Sequence, residues 1–448
     1  MRRRILTTGT AVLTAAAAVL SGCGTAKENQ GGREAETVRE PGLSAEDFES
    51  WNALLNENEI TPDFQEALRE FAFDSGSAVL SGQEENAVFS PLSLYYALAV
   101  LGTGAAGETG EELLKALGAE DAEELAEECG KLYRGYVYSE EWEKVMGEEY
   151  EGESPDSTIR LANSLWISQD LKLKQEYLDT CAEDFFASSY YVDFTDPKTG
   201  EQMGEWIGEQ TEGVLTPHLE LKPETLLAIL NTLYFYGGWR DTFDEALTEE
   251  DSFTLEDGSQ TEVPFMNRTD SMGSYIRGEG YTMAGLSTDH DCEMLFVLPD
   301  EGVEVQSLLE DPENMKEIFT GAPEEWTSGK IIWKVPKFSF GSSFELPEIL
   351  KEMGMETMFD GAAADFSLMS VRSLFVDQVI QEAHIGVDEE GVEGAAYTML
   401  ALSGSAALQD EPEEIYMTLD RPFLFGIYDY KNDVWLFLGV CMDPSAES

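Results

Sequence analysis

Residues 389–414 limit the possible fold more than any other part of this chain. They follow a strand signal at 374–387 and precede two more at 423–428 and 434–440, yet they hold mostly Gly, Ala, Ser, Glu and Gln. Segments this long without an element of their own are uncommon inside compact domains and are usually functional or disordered. Disorder is the plain reading. The first half, however, carries a period of two. Val392, Gly394, Ala396, Thr398, Leu400 and Leu402 are small or apolar, while Glu393, Ala395, Tyr397, Met399 and Ala401 interleave with them and hold the charge and the phenol. Alternation with small residues on one side suits a strand that slots into a sheet. The sequence describes a loop that could become a strand.

Around this segment the order is helices first, strands later. Thr61-Pro62 opens a helical pattern through Phe64, Leu68 and Phe71, and Ser90-Pro91 opens another through Leu94, Leu98 and Leu101. Thr109 with Glu112 forms a capping-box pattern before Leu113, and Gly118 can stop that helix. Residues 139–157 are acidic and read as an exposed insertion. Strand signals then dominate at 161–167, 226–236, 294–298, 331–340, 374–387, 423–428 and 434–440. This order argues for an α+β fold with a largely antiparallel sheet. With 42% hydrophobic residues in 448, the chain can bury a large core, and disorder throughout is excluded.

Lys and Arg number 27 against 89 Asp and Glu, a net charge of −62. Such a body repels phosphate backbones, so no nucleic-acid partner is expected. Five cysteines exclude a disulfide scaffold, no CxxC pair points to zinc, and only His218, His290 and His384 are available to histidine chemistry. No metal, cofactor or catalytic residue is assigned.

The N-terminus has Arg2, Arg3 and Arg4, an apolar run over 5–20, and then Leu20-Ser21-Gly22-Cys23. A basic start, a short apolar core and small residues at its end read as a secretory signal, too short for a confident membrane span. The ending resembles a bacterial lipobox, which implies cleavage before Cys23 and a diacylglycerol on its sulfur; a plain signal peptide is the alternative. On the lipobox reading residues 1–22 are the leader, and 23–50 are a lipidated Cys and a flexible acidic linker. The mature body, with 24 basic and 89 acidic residues, carries −65. The widely spaced Cys129, Cys181, Cys292 and Cys441 favour free, mostly buried thiols over bridges.

From about residue 55 to Pro444 the chain resembles a serpin. Asn86, Val88, Phe89, Ser90, Pro91 and Ser93 resemble the family's second helix and its approach. Asn163 with Leu165-Trp166 matches the strand after the variable region. Asn231, Thr232, Leu233, Tyr234 and Phe235, followed by Gly238-Trp239 and Phe243, resemble the central strand of the main sheet and its breach tryptophan. Pro336-Lys337-Phe338, Met353-Gly354 and Arg421-Pro422-Phe423 follow in the family's order. Glu389, Glu390, Gly391, Val392, Glu393, Gly394, Ala395 and Ala396 resemble the reactive-loop hinge.

The resemblance implies one domain over 51–448, with three β-sheets, eight to nine helices and an exposed reactive-centre loop at about 389–414. It implies suicide inhibition of a protease. The target attacks the loop as substrate, and the freed loop enters the main sheet as a new strand and drags the acyl-enzyme to the opposite pole. It also implies a shutter and breach at Ser90, Ser93, Asn163, Asn231, Trp239 and Gln381. The family often has His where Gln381 stands, Thr or Ser where Val392 stands, and Ala where Gly394 stands. Gln381 shares a strand face with Val379, Ala383 and Ile385, so it should be buried, with Asn231, Ser90 or Asn163 as partners. The family's spacing places the scissile bond at Ser405-Ala406, with Leu402 as a competing specificity residue. The loop beyond it is longer than usual.

Burying Val392, Leu400 and Leu402 on insertion would contribute about 1.5–3 kcal/mol each, and each new ladder hydrogen bond about 1 kcal/mol. The sixteen residues from Glu389 to Ser405 span roughly 55 Å when extended. A Ser or Ala at the cut suits a small, apolar primary pocket, as in elastase-like or subtilisin-like serine proteases. Asp410, Glu411, Glu413 and Glu414 either steer toward basic proteases or simply solvate the loop. The expected partners are a target serine protease, held covalently by a monomeric inhibitor, and a membrane reached through the N-terminal lipid, at an extracellular, cell-surface location. The alternatives are a non-inhibitory serpin serving as a surface binding module, or an inhibitor of papain-like cysteine proteases. An enzyme is disfavoured: Ser403-Gly404-Ser405 is not a nucleophile elbow.

Overall fold

Two hydroxyl caps set the helical half of the molecule. The computed structural model describes residues 12–21, 36–37, 56–149, 158–219, 221–288, 291–322, 325–392 and 413–446. Helix α1 (Pro62–Leu80) starts where Thr61 Oγ1 accepts from the Phe64 amide, and α2 (Pro91–Gly104) where Ser90 Oγ accepts from the Ser93 amide. Each has Pro at its first position, where a missing N–H costs nothing. Helix α3 (Gly107–Ala116) begins earlier than the capping-box pattern predicts, and its N-cap Ala106 makes no side-chain bond. Thr109 and Glu112 lie inside the helix and hold neighbouring segments instead. Thr109 accepts from the Asp365 amide, and Glu112 from the Thr357 amide and hydroxyl. Gly118, at φ 65°, follows the helix as expected. Helix α4 (Ala122–Glu149) runs through the first half of the acidic stretch. Four further helices complete the set among the described residues: α5 (Gln175–Glu183), α6 (Lys198–Gln210), α7 (Pro312–Thr320) and α8 (Pro347–Glu352).

The main sheet holds seven strands. Those of the body are β4 (Thr158–Ser168), β5 (Ser188–Val192), β6 (Thr225–Tyr236), β12 (Phe338–Glu345) and β13 (Phe375–Val387); β1 (Val12–Ser21) and β2 (Glu36–Thr37) come from the N-terminus. Their order is β12-β13-β1-β6-β4-β5-β2. Two further sheets share the long strand β8 (Gln260–Gly278). One contains β7 (Glu249–Thr254), β11 (Thr327–Pro336) and β14 (Glu414–Thr418). The other contains β9 (Tyr281–Ser287), β10 (Cys292–Pro299), β15 (Phe423–Asp429), β16 (Val434–Cys441) and β3 (Ala87–Phe89). The single strand read at 331–340 is therefore two. Lys337 separates β11 from β12, and they belong to different sheets.

The main sheet is buried on both faces. Leu227, Ile229, Leu233 and Phe235 of β6 join the large core with α1, α2 and β16. Ala228 and Leu230 join a smaller core with Trp166, Trp206 and Ile207, the last two from α6. This explains why β6 reads as a continuous apolar run rather than an alternation. Cys129, Cys181, Cys292 and Cys441 are free and buried.

Candidate functional site: a one-strand slot and its hinge

Strands β6 and β13 do not pair with each other. Each pairs antiparallel with β1, which stands between them over its whole length. At mid-length, Ala16 lies opposite Asn231 on β6 and Gln381 on β13. Beneath this position sits a polar cluster in an otherwise apolar core. Asn231 Nδ2 donates to Asn163 Oδ1 at 2.8 Å, and Ser93 Oγ donates to Asn231 Oδ1. Asn163 Nδ2 donates to the Phe185 carbonyl at 2.8 Å. Gln381 exchanges two hydrogen bonds with the Ser90 backbone: the Ser90 amide donates to Oε1 at 3.1 Å and Nε2 donates to the Ser90 carbonyl at 2.8 Å. Ser90, Ser93, Asn163, Asn231 and Gln381 are all buried, so each polar group needs the partner it has. The cluster ties both walls of the slot to the start of α2. His384, three residues from Gln381, lies instead against Ser339 Oγ at 3.3 Å.

At the top of the slot the chain leaves β13 and turns back. Gly391 forms an antiparallel bridge with Gly238, just past the end of β6. The Trp239 amide donates to the Glu390 carbonyl, the Trp239 indole to the Asp388 carbonyl and the Phe243 amide to the Glu389 carbonyl, all at 2.9–3.0 Å. Both glycines are demanded by contact. A Cβ on Gly391 would lie 2.4 Å from the Gly237 carbonyl oxygen, and one on Gly238 would lie 2.9 Å from that of Glu390. Trp239 is buried and Glu390 exposed. Glu389 is buried and accepts from Thr248 Oγ1 at 2.8 Å and Lys337 Nζ at 2.5 Å. Burial pushes its carboxyl pKa up, but the hydrogen bonds from Lys337, Thr248 and its own backbone amide, with the Lys337 charge, together outweigh it and hold the group below its ordinary value.

Val392 is fully buried and part of the main core. The sequence expectation that its side chain faces inward therefore needs one amendment. It is buried before any insertion, so its burial is not among the contributions that insertion would add. The sequence reading also missed Thr248 and Lys337 as anchors of the hinge, although Lys337 lies within a motif already noted for other reasons.

Across from Ser287, whose carbonyl accepts from the Arg240 amide, lies a group that no sequence pattern singled out. The Glu293 carboxyl lies across the space a Gly285 Cβ would fill. Burial pushes its pKa up to about 7, against the opposing pull of the Arg240 guanidinium and the Ser287 hydroxyl. Of the remaining sequence assignments, Cys23, Glu393, Gly394, Ala395, Ala396, Leu402, Ser405 and Ala406 lie outside the described residues.

The family model for serpins, the serine protease inhibitors, matches residues 66–444. The chain is a serpin. A serpin-like protein of Thermococcus kodakarensis is 30% identical over 387 residues, covering 84% of this chain and 85% of its own. Serpin A3-6 of Bos taurus is 28% identical over 372 residues, covering 82% and 84%. Among solved structures, the thermophilic serpin tengpin superposes in its native state with a TM-score of 0.71 at 22% identity, covering 92% of this chain and all of tengpin. In its latent state the TM-score is 0.70 at 23% identity, covering 86% and 98%. This serpin thus has the family's three-sheet α+β fold, and the polar cluster and hinge described above fall within the matched residues. Family membership supports protease inhibition in general as its activity.

Proposed function

We propose that this serpin is a secreted, lipid-anchored, irreversible suicide inhibitor of serine endopeptidases with a small, apolar primary pocket, of the elastase or subtilisin kind. The observation that supports this most is the slot. The main sheet accepts one extra strand, antiparallel to both neighbours, and the chain that would supply it already enters at the top through the Gly238–Gly391 bridge. Continuing that pairing down β6 sets Gly394 opposite Phe235, Thr398 opposite Asn231 and Leu402 opposite Leu227. The alternate small residues of the loop then take one set of register positions throughout.

The chemistry follows. The target's serine attacks the carbonyl carbon of Ser405, and the bond to the Ala406 nitrogen breaks. That amine leaves with a proton, and the Ser405 acyl group stays on the enzyme. The loop is then free at one end. Leu400 and Leu402 gain about 1.5–3 kcal/mol each on burial, and each new ladder hydrogen bond contributes about 1 kcal/mol. Insertion carries the acyl-enzyme away from the hinge before water can cleave the ester. The test is a panel of elastase-like, subtilisin-like, trypsin-like and papain-like proteases. A complex with a small-pocket serine protease should survive boiling in detergent, and sequencing the released fragment should give Ala406 at its start. Clean turnover by every protease, with no complex, would contradict the proposal.

A further inference from the structure

The strand seated in the slot comes from the leader. Residues 12–21 read VLTAAAAVLS, with no charge and no side chain larger than Leu. They pair with β6 from Val12–Phe235 to Leu20–Leu227 without interruption, and with β13 from Leu13–His384 to Val19–Gln378. If the reactive loop ran on from the Gly238–Gly391 bridge, Gly394, Ala396, Thr398, Leu400 and Leu402 would meet the same β6 residues that Val12, Thr14, Ala16, Ala18 and Leu20 meet now. Both segments are uncharged there, both alternate within a narrow range of sizes, and both must cross the Asn231–Gln381 position, where Ala16 stands in one and Thr398 would in the other. Two strands cannot fill one slot.

We propose that the leader is a stand-in for the reactive loop: while residues 12–21 remain attached, they occupy the slot and the serpin cannot trap a protease, and removing the leader arms it. This rests on the inhibitory reading above. The coupling is competition for one set of main-chain hydrogen bonds. A protease that cuts the loop of the full-length chain forms the acyl-enzyme as usual, but the freed loop finds its strand position taken, so water hydrolyses the ester and the enzyme is released. The leader's apolar run thus serves twice, first as an export signal and, in any chain that has kept it, as a plug. A chain that folds before export would in this way be harmless to proteases of the cell that made it.

The test compares the full-length chain made by cell-free synthesis, which lacks signal peptidase, with the chain beginning at Cys23, both carrying Cys23→Ser to prevent acylation. Against a protease that the shorter chain traps, the full-length chain should form detergent-stable complex at least about tenfold more slowly and be turned over as substrate. Ala16→Arg in the full-length chain should restore trapping, because it sets a charge at the strand position opposite Asn231 and Gln381, in the middle of the sheet. Equal trapping with and without the leader would overturn the proposal. If neither chain traps any protease, the inhibitory reading fails, and melting then judges the plug alone. The full-length chain should melt hotter than the shorter one, and a synthetic peptide of residues 12–21 should raise the shorter chain's melting temperature. Absence of both shifts would overturn the plug as well.

Discussion

A single side chain, Val392, anchors the start of the loop in the core. It is buried at the top of the slot while the residues beside it, Gly391 and Glu390, still pair with Gly238 and Trp239. An arginine there would place an unpaired charge in the core, at a cost of several kcal/mol. Because Val392 is buried before any insertion, Val392→Arg should lower the melting temperature of the intact chain as well as the yield of detergent-stable complex, which a melt and gel electrophoresis after protease challenge read directly; an unchanged melting temperature would contradict this. Val392→Thr, close in shape and uncharged, should keep the complex. Glu389 makes a pH-dependent contribution to the same hinge. Its pKa is lowered in the folded chain, so it binds protons less tightly there than in the unfolded chain. Its contribution is therefore fully present above the ordinary carboxylate pKa and is lost as pH falls through the lowered value. The protection of the amides at 389–392 against hydrogen exchange should fall as pH drops below the ordinary carboxylate range, and Lys337→Met should bring that loss of protection to higher pH. An unchanged profile in the variant would mean the ion pair does not hold the hinge.

At the scale of elements, the polar cluster beneath the slot and the strand pair β9–β10 differ in what pH can do to them. The polar cluster joins β6, β13 and α2 through Gln381, Asn231, Asn163 and Ser93, none of which titrates between pH 5 and 8. Beside the hinge, Glu293 of β10 stands across from Ser287 of β9, with its pKa raised to about 7 by burial. An acid whose folded pKa is raised contributes fully below its ordinary pKa, and stability falls as pH climbs through the raised value, by at most about 1.4 kcal/mol per pH unit. The melting temperature should decline from pH 5 to pH 8, and Glu293→Gln should flatten most of that decline; a decline that persists in the variant would assign it to other groups. Much of the element plan was legible in the sequence, because caps and apolar runs act locally. Thr61-Pro62 and Ser90-Pro91 start helices wherever they occur. Thr109 and Glu112 mimic a cap but bond to residues 365 and 357, partners that no local pattern discloses. Strand β8 mixes exposed Glu262 and Arg277 with half-buried Gly273 and Gly278, β9 has Gly285 near its centre, and neither shows a clear period. The break at Lys337 was hidden because both sides of it are equally apolar.

At the scale of the molecule, the site was legible where the chain's own alternation carries it, in the loop and its hinge. It was not legible where distant segments meet, as in the Thr248–Glu389–Lys337 contacts or in Glu293 over Gly285. Nor did the leader's export pattern disclose that its apolar run fits the register of the main sheet, since hydrophobicity serves a membrane and a strand slot alike. All these features bear on one claim: the intact mature chain has not reached its most stable form, because a strand position in its main sheet is open to a loop that cannot enter while tethered at both ends. The measurement that tests this most directly is the melting temperature of the chain beginning at Cys23 before and after a single cut in its reactive loop. The cut chain should melt well above the intact one, with the segment at 393–404 newly protected from hydrogen exchange. A cut chain that melts at or below the intact temperature, with that segment still exchanging freely, would contradict the claim.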